Sequence, residues 1–349
     1  MRIAGAGSAF PSNTYQQQDI TAALKEAWRE RLERPAVLDR LHGHCGVEQR
    51  HLVLPLEAYH RVTTWGQANN LWIDFAQTLG RDAICRAITP LGLLPRDIDA
   101  LFFVSVTGVA SPSVDARLVN RMGLSPNLKR VPIFGLGCVA GAAGLARAAD
   151  YVRAFPEQIA VVLSVELCSL TWQRDDTSMA NMISTGLFGD GAAAAVIAGS
   201  EAGLAGPEVV ATRSVFYPGT EEVMGWDVSE AGFHIVLSPD VPKVIRENLR
   251  DDVDSFLHDC GLSRCDVASW IIHTGGPKVL EAVEDSLELP PNALDLSWQS
   301  LKTVGNLSSA SVLVVLEEAL ARRRGEPGTY SVLAAMGPGF CSELLLLRW

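Results

Sequence analysis

The alternation of apolar and polar residues predicts a set of helices and strands that occurs twice along the chain. One helical pattern covers residues 75–88 and another covers 241–257. Each is followed by a Gly-Leu dipeptide, a polar turn and a short apolar strand, and the dipeptides at Gly92 and Gly261 are offset by 169 residues. Periods of about 3.6 and 2 residues are the signatures of helices and strands. The pattern therefore predicts two α/β units with the same element order.

The same spacing relates two further pairs of elements. The strand pattern at 159–164 maps onto 328–333, and a helix that starts near Cys138 maps onto one that starts near Asn306. Self-similarity at a fixed long period indicates a duplicated architecture. The alternative is a chance likeness of two ordinary α/β units. The predicted halves are residues 1–200 and 201–349.

The two matched helices lack a polar face. Residues 138–149 carry a single charge, at Arg147, and residues 307–316 carry none. A helix that is apolar all round is buried all round. Two such helices, one from each half, would form a central layer between two sheets, with amphipathic helices outside. The expected fold is a five-layer α-β-α-β-α sandwich of two pseudo-duplicated halves.

Composition narrows the class of protein. The 349 residues are 48% apolar and 20% charged, which is typical of a folded globular chain. With 40 acidic and 29 basic residues the net charge is −11, which argues against binding to nucleic acid. No apolar run approaches the length of about 20 residues that spans a membrane. The start lacks a signal peptide, and the seven cysteines include no C-x-x-C pair. We expect a cytoplasmic enzyme without disulfides.

Cys138 is the first candidate for chemistry. It follows the apolar run 131–134 and the turn Gly135-Leu136-Gly137, and it opens the predicted buried helix. The positive end of a helix dipole favours a thiolate, and backbone N–H groups there can hold an oxyanion. The alternative is an inert buried cysteine, which is the commoner fate of this residue.

Two residues of the second half complete a candidate site. His273 ends the strand pattern 270–272 just before a Gly-Gly pair, and ligands of open α/β sheets bind at the carboxyl ends of strands. Asn306 occupies the repeat position that matches Cys138. Taken singly, His273 reads as a core histidine and Asn306 as an ordinary helix cap. Together with Cys138 they suit a Claisen condensation, in which the cysteine takes an acyl group and the other two stabilise an enolate.

Several motifs then resemble one family along the whole chain. The segments FGLGCVAGAAG, GLFGDGAAAAVI, HTGGP, TVGNLSSA and AMGPGF are similar to those of type III polyketide synthases, the chalcone-synthase-like homodimers of the thiolase superfamily. The resemblance implies a Cys138-His273-Asn306 triad and iterative extension of an acyl-CoA starter with malonyl-CoA. It also implies a homodimer and no cofactor. An acyl carrier protein remains an alternative donor.

The resemblance also implies which residues shape the substrate pocket. Phe188 matches a gatekeeper aromatic, with plain core packing as the alternative, and Ile235 takes the place of a second gatekeeper phenylalanine. Ser111 stands where plant enzymes place a methionine into the partner's cavity. The remaining pocket positions that carry over are Cys168, Thr171, Ser308, Gly337, Pro338 and Gly339.

The smaller residues at Ser111 and Ile235 indicate a longer or more open apolar channel than in plant enzymes. The segment 225–242 also resembles bacterial alkylpyrone and alkylresorcinol synthases. We therefore expect a medium or long fatty acyl starter. Its products would be pyrones by lactonisation or resorcinols by aldol closure.

Coenzyme A carries phosphates, so a local basic lip is expected despite the net negative charge. Arg50 and His51 resemble the family's CoA-binding stretch, and Lys278 is a further possible contact. Ordinary surface charge is the alternative for each. The run His42-Gly43-His44-Cys45 has no complementary ligand cluster in the sequence, and we expect no metal site.

Other enzyme classes fit parts of this pattern. A ketoacyl-carrier-protein synthase III type enzyme, or a chain-joining synthase, would use the same triad for one condensation. A cysteine acyl hydrolase would need the histidine but would release no carbon dioxide from malonyl-CoA. A non-catalytic acyl-binding relative would bind ligand without forming an adduct on Cys138.

Overall fold

The computed structural model describes residues 1–322 and 325–349. The strands of the first half are β1 Arg2–Ala9, β2 Asn13–Gln16, β3 Gln49–Leu52, β4 Ala100–Val104, β5 Lys129–Ile133, β6 Ile159–Leu167 and β7 Asp190–Ala198. Its helices are α1 Gln17–Ala27, α2 Pro35–Gly43, α3 Trp65–Ile88, α4 Val114–Met122, α5 Ala140–Ala154 and α6 Met179–Leu187.

The second half has fewer elements between its main strands. Its strands are β8 Glu208–Phe216, β9 Met224–Ser229, β10 Gly232–Leu237, β11 Val267–Ile272, β12 Tyr330–Gly337 and β13 Cys341–Arg348. Its helices are α7 Val241–Asp259, α8 Pro277–Leu287, α9 Asp295–Val304 and α10 Ser311–Ala321. The helical patterns predicted at 75–88 and 241–257 lie within α3 and α7.

The two halves share one sheet topology. The strand order is β5-β4-β6-β7-β1 in the first half and β11-β12-β13-β8 in the second. In both, the first two matched strands (β4 and β6, β11 and β12) are parallel and the next pairings are antiparallel. The two sheets meet where Arg2 of β1 pairs with Glu208 of β8. The predicted duplication is confirmed, because strands offset in sequence occupy matching places.

The layers follow from which helix faces are apolar. Helices α5 and α10 are buried between the inner faces of the two sheets in one hydrophobic core. Helices α3 and α4 cover the outer face of the first sheet, and α7 and α8 cover that of the second. A Cβ atom on Gly141 of α5 would lie 2.2 Å from the carbonyl oxygen of Ser309, so the halves approach each other closely there. The predicted five layers are confirmed.

Both central helices begin later than the sequence predicts. A 3₁₀ turn covers Gly137–Val139 before α5, and a second covers Ser308–Ala310 before α10. Gly137 has φ 53° and Ser308 has φ 49°, and this left-handed conformation cannot belong to an α-helix. Cys138 and Asn306 therefore precede the helices they were expected to open. Within the described residues, no helix is both long and apolar enough to cross a bilayer.

Candidate active site

Cys138 lies where the two halves meet. It sits in the 3₁₀ turn that joins β5 to α5, and 7% of its surface is exposed. A Cβ atom on Gly137 would come within 2.6 Å of the Pro338 ring, so only glycine permits this approach between the halves. The Cys138 Sγ atom is 3.6 Å from the hydroxyl oxygen of Ser308, a residue of the second half.

Ser308 connects Cys138 to Asn306. The Ser308 backbone N–H donates to Oδ1 of Asn306 at 2.8 Å, and Asn306 is 2% exposed. This bond assigns the amide, because an oxygen that accepts from a backbone N–H leaves the amide NH₂ as the donor. The backbone of Asn306 forms a bridge with Phe188, with Asn306 N donating to Leu187 O and Gly189 N to Asn306 O, each at 2.9 Å.

His273 approaches the same region from the end of β11. It is 2% exposed, and its backbone N–H donates to Ala334 O in β12. Gly337, the last residue of β12 and three positions after Ala334, contacts the cysteine turn, since a Cβ there would lie 2.6 Å from the Val139 nitrogen. Among the described residues, His273 Nδ1 has no hydrogen-bond partner. The structure thus joins Cys138 to Asn306 through Ser308, and relates His273 to them through β12.

Burial determines the protonation states of the Cys138 thiol and the His273 imidazole. It raises the pKa of the Cys138 thiol to about 12, although the hydrogen bond with Ser308 acts in the opposite direction. Burial also lowers the pKa of His273 to about 4. Both groups therefore favour their neutral forms at neutral pH. The expectation that a helix dipole stabilises a thiolate is not met, because Cys138 precedes the helix and loses its hydration.

A cavity of about 510 Å³ extends from Cys138. This is within the range of about 300–1,000 Å³ that is usual for small-molecule sites. The residues at its inner end are buried, whereas Glu26, Ala27, Glu57 and His60 are exposed and lie at its outer end. The wall includes most of the predicted pocket residues, namely Phe188, Ile235, Cys168, Thr171, Ser308 and Pro338.

Three predicted pocket residues lie outside this wall in the described part of the chain. Ser111 is exposed and lies away from the cavity of its own chain. Gly337 and Gly339 flank the wall residue Pro338. Gly337 packs on the cysteine turn, and Gly339 has φ 128°, which favours glycine. These two glycines shape the turn that presents Pro338.

The predicted basic lip is not formed by the residues expected there. Arg50 is 2% exposed, and its guanidinium donates to the Phe188 carbonyl at 2.5 Å and to Gln17 Oε1 at 2.9 Å. His51 alternates to the other face of β3, where Nδ1 is 3.0 Å from Pro11 O. Lys278 is exposed outside the cavity and pairs with Glu281 at 2.9 Å. Arg50 is a buried residue of the cavity wall. The prediction of an exposed basic lip at this position is therefore wrong.

One wall of the cavity was not predicted from the sequence. Helix α1 contributes Ile20, Ala23, Leu24 and Ala27 to it. Their spacing of three and four residues is an amphipathic helical signal that was present in the sequence. The hairpin of β9 and β10 contributes Met224, Trp226 and Leu237 beside Ile235.

A buried carboxyl group behind the site was also missed. Glu166 accepts hydrogen bonds from the Val106 backbone at 3.1 Å, from the Thr107 hydroxyl at 2.8 Å and from the Ser309 hydroxyl. Burial raises its pKa. Because Ser309 follows Ser308, this network ties the first sheet to the turn that contacts Cys138.

Models of one protein family match both halves of the chain. The family model described as the N-terminal domain of chalcone and stilbene synthases matches residues 2–202, and the corresponding C-terminal model matches 208–349. A 1,3,6,8-tetrahydroxynaphthalene synthase of Streptomyces peucetius subsp. caesius is 51% identical, over 99% of this chain and 93% of that protein. A phloroglucinol synthase of Pseudomonas fluorescens is 33% identical, over 97% of each.

A solved structure has the same fold over the whole chain. The 1,3,6,8-tetrahydroxynaphthalene synthase of Streptomyces coelicolor A3(2), described as a bacterial type III polyketide synthase, has a TM-score of 0.94 and 31% identity, over 100% of this chain and 99% of that one. The duplicated layers and the buried cysteine between them define a condensing enzyme of the thiolase fold. The chain belongs to the chalcone and stilbene synthase family and is a type III polyketide synthase, an acyltransferase that forms carbon–carbon bonds.

Proposed function

We propose that the enzyme performs iterative decarboxylative Claisen condensations with Cys138 as the acyl carrier. The observation that carries this proposal is the place of Cys138 at the inner end of the cavity, beside Ser308. A protonated thiol must lose its proton to attack a thioester. The neutral His273 imidazole, with Nδ1 unpartnered among the described residues, can accept a proton. Sulfur then bonds to the acyl carbon, and the coenzyme A thiolate leaves and takes up the proton.

The extension step needs hydrogen-bond donors rather than acidic side chains. Loss of carbon dioxide from malonyl-CoA leaves an enolate whose oxygen must be stabilised. The Asn306 NH₂ can donate to this oxygen because Ser308 already holds Oδ1. The enolate carbon attacks the acyl group on Cys138, and the cysteine thiolate is the leaving group. An aspartate at position 306 would oppose the developing negative charge.

The test is the mass of the intact protein after incubation with an acyl-CoA. We expect one acyl adduct on the wild type, none on Cys138→Ala, and an unchanged adduct on the matched control Cys85→Ala. With malonyl-CoA present, Asn306→Ala should keep the adduct but lose carbon dioxide release, whereas His273→Ala should also slow formation of the adduct. An adduct that persists in Cys138→Ala would disprove the nucleophile. Hydrolysis without carbon dioxide would favour an acyl hydrolase, and one malonyl unit per product a single-condensation enzyme.

For the starter, the first candidate is malonyl-CoA itself. Its support is the identity of 51% with a 1,3,6,8-tetrahydroxynaphthalene synthase, whose name specifies a naphthalene product, a ten-carbon skeleton that two-carbon units alone can supply. With malonyl-CoA as the sole substrate, we expect a naphthol of this class by mass spectrometry. Absence of any product from malonyl-CoA alone, together with extension of other starters, would reject this candidate.

The second candidate is a medium or long fatty acyl starter that gives alkylpyrones or alkylresorcinols. Its support is the apolar wall of α1, which runs about 10 Å from Ile20 to Ala27 at 1.5 Å per residue. Ala23→Trp should block long acyl-CoAs while leaving short ones active. Ala22→Trp is the matched control, because Ala22 is exposed and lies off the cavity wall. Equal chain-length profiles for both variants would reject α1 as the acyl wall.

We also propose a homodimer that forms along β5. This strand is an edge of its sheet, Val131 within it is 37% exposed, and Phe134 directly after it is 55% exposed. Such an edge with exposed apolar residues favours pairing with another chain. Light scattering of the purified protein tests it, with Val131→Lys expected to shift the mass to that of one chain. Parallel assays with acyl-CoA and with an acyl carrier protein identify the donor.

A further inference from the structure

Gln17 and Arg50 form a continuous clamp on the segment 186–188. Gln17 Nε2 donates to Gly186 O at 2.7 Å, and Gln17 Oε1 accepts from Arg50 Nη2 at 2.9 Å. Arg50 Nη1 donates to Phe188 O at 2.5 Å. This Gln17–Arg50 clamp therefore holds the end of α6 and the carbonyl of the cavity wall residue Phe188.

The clamp extends to the second half. The Arg50 stem lies against Gly305, where an added Cβ would be 3.0 Å from Arg50 Cδ and 2.8 Å from Leu187 O. The next residue, Asn306, forms the backbone bridge with Phe188. Gly305, with φ 76°, is thus the point where the arginine stem meets the segment that carries Asn306.

Arg50 is an unusual choice for a merely structural residue. It is fully buried, no carboxylate among the described residues pairs with it, and its Nε has no partner there. The nearby carboxylate of Asp190 is engaged by the Val53 and Ser169 backbone N–H groups, each at 2.8 Å. Burial lowers the pKa of Arg50 to about 10, so the group remains a cation at neutral pH. Asp190 attracts Arg50 without a direct ion pair, and burying a charge in this way is costly enough that an apolar residue of the same volume would often be tolerated better.

We infer that Arg50 is a positioning residue, which sets Phe188 and Asn306 relative to one another through the Gln17–Arg50 clamp. The inference rests on the proposed role of Asn306 in stabilising the enolate. The charged guanidinium makes a strong hydrogen bond to the Phe188 carbonyl and so fixes the bridge that orients Asn306. Arg50 itself does not touch the reacting atoms. Its loss should therefore impair condensation more than acylation of Cys138.

The experiment compares Arg50→Met, Arg50→Lys and Gln17→Leu with the wild type. Met keeps the stem on Gly305 but removes the donors, Lys restores one charged donor, and Gln17→Leu opens the clamp without changing charge. Arg86→Met is the control, because Arg86 also donates to a backbone carbonyl, Ser8 O at 2.7 Å, outside the cavity wall. The measurements are acylation of Cys138, carbon dioxide release, and kcat and KM for product formation.

We expect Arg50→Met to lower kcat by about 10²-fold, since a misplacement of about 1 Å can have this effect. KM and the rate of Cys138 acylation should stay near wild type, and carbon dioxide release from malonyl-CoA should fall together with product formation. Arg50→Lys should recover part of kcat, and Gln17→Leu should show a smaller loss of the same kind. An unchanged rate of carbon dioxide release in both Arg50→Met and Gln17→Leu would overturn the inference. Failure of the wild type to condense would instead reject the proposed function.

Discussion

The close contact between the two central helices of the structure can be tested with a single substitution. Gly141 of α5 faces the turn before α10, and a Cβ atom there would lie 2.2 Å from Ser309 O and 2.8 Å from Val312 Cγ1. Real Cβ atoms do not approach a carbonyl oxygen so closely, so Gly141→Ala must push the two halves apart locally. The atom in the way is backbone, which cannot rotate aside as a side-chain end can.

The expected cost follows from two opposing effects. Overpacking of a well-packed core costs about 1–3 kcal/mol, and a clash with backbone belongs at the upper end of this range. The exchange of glycine for alanine in a helix returns up to about 1 kcal/mol. The net destabilisation should be about 2 kcal/mol, which is a factor of about 30 in the folding equilibrium.

Urea unfolding followed by circular dichroism measures this difference. The control is Gly66→Ala in α3, where no heavy atom lies within 4 Å of the added Cβ and only the gain in helix propensity remains. Gly141→Ala should also lower condensation activity beyond the loss of stability, because Ser309 adjoins the Ser308 that contacts Cys138. Equal stability and activity of Gly141→Ala and the wild type would refute the close approach of the halves.

Two further predictions concern charge. Burial lowers the pKa of His42 and of His273 to about 4 from 6.5. The unfolded chain takes up these protons first, so the free energy of unfolding should fall as pH drops from about 6.5 to 4, by about 3 kcal/mol per histidine. Urea midpoints at pH 7 and 5 measure this, and His42→Asn should flatten the dependence; a pH-independent midpoint contradicts it. Asn306→Asp should reduce carbon dioxide release from malonyl-CoA by about 10²–10³-fold while Cys138 still acylates, and retention of full release would exclude the proposed role of Asn306.

Local sequence patterns were sufficient to predict the architecture of this protein. The apolar helices around 138–149 and 307–316 have no polar face to present to water, so burial in a central layer was the physically available arrangement. Matched spacing then predicted the duplicated halves, which the shared strand order confirms. The motifs indicated the family, because glycine turns such as the one before Cys138 meet backbone constraints that depend on the local sequence.

The electrostatics of the site could not be predicted in this way. The pKa of Cys138 depends on how much water the surrounding elements exclude, and this is decided by residues far along the chain, such as Ser308 and Pro338. The same holds for Arg50, whose sequence neighbours suggest an exposed lip. Its burial results from Gly305 and Phe188, which reach it only in the folded chain.

The cavity shows the same division. A sequence determines which helix faces are apolar, and the spacing of Ile20, Ala23 and Leu24 contained that information. It does not determine what such a face packs against. The hydrophobic effect depends only on removing the apolar stripe from water, and a hydrophobic core and a ligand channel can both do this. Only the tertiary structure placed α1 on the cavity that begins at Cys138.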